Sequence, residues 1–153
     1  MEEENDPLEN QFTEISEINK FIYLGSFAHP CTNSEEFQKL QINVIINCAA
    51  EIDYPCPLHY IFEKFPLEND EYASMLEYMD KAIEKIHRYL SQHKKIYIHC
   101  DNGNSRAVAI LIYYLMVHKK FNYSRALSLL KKLRPTIIIN DNFERELKTI
   151  EEC

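Results

Sequence analysis

The chain has 153 residues, 46% of them hydrophobic and 27% charged, with a formal net charge of −7. That length accommodates one domain with a substantial core, and the negative charge argues against generic binding to nucleic acid or to an anionic membrane surface. It still allows a phosphorylated ligand, because a small site can be locally positive inside an acidic protein.

Residues 1–19 are acidic and poor in apolar side chains, which reads as a partly ordered leader ahead of a single domain over residues 20–153. The leader lacks the basic start and apolar middle of a secretory signal, and no apolar run reaches membrane-spanning length. A soluble, cytoplasmic protein without membrane contact is the expectation. Five cysteines, an odd number at scattered spacings, suggest neither a disulfide framework nor a metal site. Cys31, Cys48 and Cys56 read as inert buried thiols.

The run Phe21-Ile22-Tyr23-Leu24, closed by Gly25, predicts a strand. Thr32 and Glu35 stand at capping-box spacing ahead of a short helix that carries Phe37 and Leu40. Val44-Ile45-Ile46 is continuously apolar and β-branched, as in a strand covered on both faces. Tyr60-Ile61-Phe62 is a weaker strand signal. From about Ala73 to Leu90, Met75, Leu76, Met79, Ala82, Ile83, Ile86, Tyr89 and Leu90 recur at helical spacing, with charged residues opposite. Ile96-Tyr97-Ile98 predicts another buried strand, and an apolar helix follows through Met116. Two further helices are expected, one over Ser124–Leu133, stopped by Pro135, and one presenting Phe143, Leu147 and Ile150. Strands alternating with helices predict an α/β domain with a mainly parallel central sheet flanked by helices.

The chemistry concentrates between a predicted strand and a predicted helix, in His99-Cys100-Asp101-Asn102-Gly103-Asn104-Ser105-Arg106. One of the chain's two glycines lies here and permits a tight curve, the geometry in which backbone N–H groups gather around an anion. The following helix N-terminus adds its dipole, and the same field stabilises a cysteine thiolate. Arg106 can grip two phosphoryl oxygens with its planar fork, where lysine offers only a point charge.

This segment resembles the HCxxGxSR signature of the cysteine-based protein phosphatases, in particular their dual-specificity branch. Phe21 to Ser26 is similar to that family's opening strand. Arg134-Pro135 with Asn140 and Phe143 resembles its closing stretch, except that Ile139 stands where a proline is usual. The resemblance implies Cys100 as nucleophile and Arg106 as phosphate clamp, with Asp101, Asn102, Gly103, Asn104 and Ser105 completing the substrate-binding loop. It implies an aspartic acid on a separate loop, no metal or other cofactor, and a phosphorylated protein as partner. His99 is expected to orient the loop. Ala107 replaces the usual Ser or Thr, whose hydroxyl assists the departing thiolate, so breakdown of a phosphocysteine is expected to be slow. Phe65 to Asp70 resembles the acid loop. Counting back from Ala82-Ile83 without a gap puts the family's aspartate position on Asn69; Asp70, one residue later, is the candidate acid, and Glu68 is the alternative. Otherwise Asp70 merely decorates a helix start, as Asp commonly does. Cys48 stands one position out of register with the partner that forms a protective disulfide in some relatives. The function implied is hydrolysis of phosphotyrosine and phosphoserine or phosphothreonine. A phosphate-binding adaptor with little turnover is the alternative, and a rhodanese-like sulfurtransferase is a third reading. A nucleotide-binding domain is not expected, because no GxxxxGK[ST] is present.

Overall fold

A computed structural model describes residues 12–152. Five strands, β1 (Ser16–Asn19), β2 (Ile22–Gly25), β3 (Val44–Ala49), β4 (Ile61–Leu67) and β5 (Ile96–His99), form one sheet in the order β1-β2-β5-β3-β4. β2, β5, β3 and β4 run parallel, and β1 joins the edge antiparallel to β2. The mainly parallel α/β architecture read from the sequence is thus present, with one antiparallel edge strand. β1 falls in the stretch read as leader, where no strand was expected; residues 1–11 lie outside the described residues.

Alternation along the strands assigns side chains to the two faces. Ile22, Leu24, Val44, Ile46, Cys48, Ile96 and Ile98 enter the larger core, beneath α3 (Met79–Ser91), α4 (Arg106–His118), α5 (Tyr123–Leu133) and α6 (Asp141–Glu151). Tyr23, Ile45 and Tyr97 face the opposite way, where Phe37 of α2 (Glu35–Lys39) meets them and packs edge-on against Tyr97 at 5.1 Å. α4 is buried continuously from Arg106 to Leu115, as a helix apolar on all sides must be. No helix among the described residues is long and apolar enough to cross a membrane.

Three local expectations are corrected. The cap of α2 is Ser34, whose Oγ accepts from Phe37 N at 3.2 Å; Thr32 instead ends the short helix α1 (Ala28–Thr32), donating its hydroxyl to Ala28 O. The third helix begins at Met79 and not near Ala73, because residues 73–76 are tied down from α6. Glu146 accepts from Met75 N at 2.9 Å and from the Ser74 hydroxyl, and Asn142 donates to Ala73 O. Met75 is buried in that turn while Leu76 is exposed. Of the three thiols read as buried, only Cys48 is; Cys31 and Cys56 are half-buried, and all three are free.

Candidate active site

In open parallel sheets, ligands bind beyond the carboxyl ends of the strands. Here the ends of all four parallel strands lead to one place. β5 ends at His99 and runs into the loop 100–105, which feeds α4. β3 leads to Glu51, β4 to Leu67 and Asn69, and β2 to Phe27, whose N–H donates to Asp101 O at 3.1 Å. Gly103 has φ +79°, and a Cβ there would lie 2.5 Å from the carbonyl oxygen of Gly25. The only two glycines of the chain therefore touch, and the sharp loop is packed directly on the end of β2.

Cys100 is 1% exposed and lines a pocket of about 260 Å³ together with Asp101, Asn102, Asn104, Ser105 and Arg106. Asn69, Ile138, Ile139 and Asn140 complete the wall. Ser105 precedes α4 but does not cap it; its Oγ accepts from Asn140 N at 3.0 Å, so the first turn of α4 keeps its amides for a ligand. Gly103 shapes the loop from behind without lining the pocket.

Arg106 is 1% exposed and held by the Glu51 carboxylate, which was given no role in the sequence reading. Nη1 and Nη2 each donate to a Glu51 oxygen at 2.6 Å, and Nη1 also donates to Leu67 O at 3.0 Å. That uses the end-on edge of the guanidinium. The side-on edge, Nε–H with the second Nη2–H, is the other two-donor fork and meets no protein acceptor among the described residues, so it can serve an oxyanion. Burial alone would weaken the Arg106 charge, but Glu51, Cys100 and Asp101 together outweigh it and hold the guanidinium above its usual value; Arg106 in turn holds Glu51 below the ordinary carboxylate range.

The predicted acid lies outside the pocket lining. Asn69, not Asp70, lines the pocket. The Asp70 carboxylate accepts from Tyr72 N at 2.8 Å, closing a turn, while the Asp70 carbonyl accepts from Asn140 Nδ2 at 3.0 Å. Glu68 is exposed and likewise outside the pocket lining. Cys48 is fully buried; burial pushes its thiol well above the usual range, the nearby Cys100 adds to this, and Arg106 opposes it. Ala107 is buried in the core at the start of α4.

His99 is wired by geometry. Its Nδ1 lies 2.9 Å from Cys100 O, which can only accept, so Nδ1 carries the proton. Nε2 then accepts from the Tyr54 hydroxyl at 2.7 Å, and burial raises the Tyr54 pKa so that the hydroxyl stays a donor. Burial likewise lowers the His99 pKa from 6.5 to about 4. A histidine that stays neutral in the fold but takes a proton when unfolded makes no difference above pH 6.5 and destabilises the native state progressively as pH falls from 6.5 towards 4. The difference corresponds to about 3 kcal/mol. The midpoint of urea unfolding should therefore drop steadily between pH 6.5 and 4, and His99→Asn should flatten that dependence. An unchanged slope in the variant would assign the acid sensitivity elsewhere.

A strand, a Cys-x5-Arg loop and a helix N-terminus thus meet around one pocket. The dual specificity phosphatase catalytic domain matches residues 22–153, and the chain belongs to that family. Protein phosphatase Slingshot of Drosophila melanogaster is 32% identical over 134 residues, covering 88% of this chain and 13% of its own. Human dual specificity protein phosphatase 5 is 29% identical over 135 residues, 88% of this chain and 35% of its own. The chain thus spans only a minor part of the length of these relatives. Among solved structures, human DUSP28 superposes with a TM-score of 0.81 at 20% identity, over 90% of this chain and 93% of that one. Human tyrosine phosphatase-like serine/threonine/tyrosine-interacting protein gives 0.81 at 22% identity, over 90% and 95%. These two share the fold.

Proposed function

We propose that this chain is a protein phosphatase hydrolysing phosphotyrosine and phosphoserine or phosphothreonine through a phosphocysteine. The observation that carries this reading is the buried Cys100 in one small pocket with the side-on edge of Arg106 and the uncapped start of α4. The Cys100 thiolate attacks phosphorus in line, forming an S–P bond as the bond to the substrate oxygen breaks. Arg106 and the loop amides hold the equatorial oxygens. Protonated Asp70 gives its proton to the leaving oxygen; as carboxylate it then takes a proton from the water that attacks phosphorus, and the S–P bond breaks to release phosphate and restore the Cys100 thiolate. His99, neutral and fixed by Tyr54, orients the loop and transfers no proton.

Only Asp101 and Arg106 among the residues lining the pocket are charged. A single phosphoester on a protein suits such a pocket better than a polyanionic inositol lipid, which would call for further cations. The comparisons offer nothing in favour of a non-catalytic adaptor. Cytoplasmic residence fits a nucleophile that must remain a free thiol.

Asp70 follows pocket-lining Asn69 directly, and to act as the acid its carboxyl exchanges its bond to Tyr72 N for one to the leaving group. The test is phosphate release from an aryl phosphate across pH 5 to 8 without metal. Asp70→Asn should lower kcat about 10²-fold, and Glu68→Gln should leave kcat intact. The reverse pattern would transfer the role to Glu68. Absence of turnover in the folded wild type would overturn the hydrolase reading.

A further inference from the structure

The pocket is supported from behind by a buried cation outside its lining. Arg134 follows the last residue of α5 and is 4% exposed. A guanidinium has five N–H donors, and here all five are committed. Nε donates to Asn104 Oδ1 at 3.0 Å, and one Nη2–H donates to Asn102 O at 2.8 Å; both partners belong to the catalytic loop. The other Nη2–H goes to Thr13 Oγ1 at 3.1 Å, and the two Nη1–H groups go to Glu14 O at 2.6 Å and Ser16 Oγ at 3.0 Å. One side chain therefore binds residues 102–104 to residues 13–16, more than eighty positions apart in sequence.

Both ends of this bridge are held independently. His29 Nε2 donates to Thr13 O at 2.8 Å, and Ser16 pairs with Leu24 in the sheet. On the loop side, Thr136 donates to Asn104 Oδ1 at 2.9 Å, and Ile138 N donates to Asn104 O at 3.1 Å. With every donor used, Arg134 has none left for a ligand of its own. Its role must be exerted through the loop.

We infer that Arg134 is a positioning residue for the catalytic loop, and that residues 13–16 are the anchor it pulls against, so the segment ahead of β1 is a working part of the site. A five-donor fork of fixed shape ties two chain segments in one geometry; a lysine, with three donors on a flexible stem, cannot reproduce it. The inference rests on the phosphatase reading only for its kinetic readout.

The experiment compares full-length wild type with Arg134→Lys and with the double variant Thr13→Val/Ser16→Ala, which keeps Arg134 and its loop partners. Three quantities are measured well below the melting temperature: amide hydrogen exchange in residues 101–105, affinity for orthovanadate, and kcat and KM for an aryl phosphate. Arg134→Lys should speed loop exchange, weaken vanadate about tenfold and raise KM in parallel, with a smaller change in kcat. The double variant should move the same quantities about threefold. A purely structural role would shrink the active fraction, lowering kcat at unchanged KM and vanadate affinity, and that result would overturn the inference. So would unaltered loop exchange in a folded Arg134→Lys protein. If that variant does not fold, the double variant decides by the same criteria. If wild type binds vanadate without releasing phosphate, the hydrolase reading fails while exchange and vanadate affinity still judge Arg134.

Discussion

Replacing Arg106 with lysine is expected to lower kcat/KM for an aryl phosphate about 10³-fold, roughly 4 kcal/mol of transition-state stabilisation. The size follows from how the guanidinium is used. Glu51 and Leu67 O occupy one edge, which fixes the plane of the group and aims the remaining fork at the pocket. A lysine keeps the charge but loses the second edge, so it cannot bind Glu51 and two phosphoryl oxygens together. Glu51→Gln should fall between wild type and Arg106→Lys, because the amide still accepts one bond but no longer fixes both nitrogens. Steady-state kinetics on the three proteins checks the order. An Arg106→Lys enzyme within tenfold of wild type would mean that the clamp is not what stabilises the transition state.

Cys100→Ser is expected to reduce phosphate release to background, a loss of ~10⁴-fold or more. A serine hydroxyl in the same buried place is a poor nucleophile without a base to take its proton, and His99 cannot supply that help. Its Nδ1 proton is held by Cys100 O, and its Nε2 lone pair is engaged by Tyr54. The phosphate cradle itself remains, so orthovanadate should still bind the variant in a calorimetric titration. Retained turnover in Cys100→Ser would remove the thiol from the chemistry altogether.

What the sequence disclosed, and what it concealed, divides along a physical line. β2, β3, β5 and α4 were legible because each buries both faces of a strand or the whole circumference of a helix, and composition alone reports that. The loop 99–106 was legible because nucleophile, glycine and arginine sit within eight consecutive residues. β1 was not: Ser16-Glu17-Ile18-Asn19 has little strand character and exists by pairing with β2. The start of α3 was misplaced because Glu146, more than sixty residues away, holds Met75 in a turn that satisfies the helical spacing without being helix. Glu51 and Arg134 are long-range partners of the same kind. The available signal for Glu51 was its position just past the end of a central parallel strand, where such sheets build their sites. Arg134 offered only its place in the family's closing stretch; that its donors would reach both the loop and residues 13–16 depends on how the chain folds back.

The most direct test of the account is to incubate wild type with an aryl phosphate, quench in the steady state, digest, and map phosphorylated peptides by mass spectrometry. Because Ala107 offers no hydroxyl to help the thiolate leave, the intermediate should accumulate. The prediction is a phosphoryl group on the peptide carrying Cys100, bound through sulfur and absent from Cys100→Ser treated identically. Turnover without any adduct on Cys100, or an adduct on another residue that survives in Cys100→Ser, would contradict it.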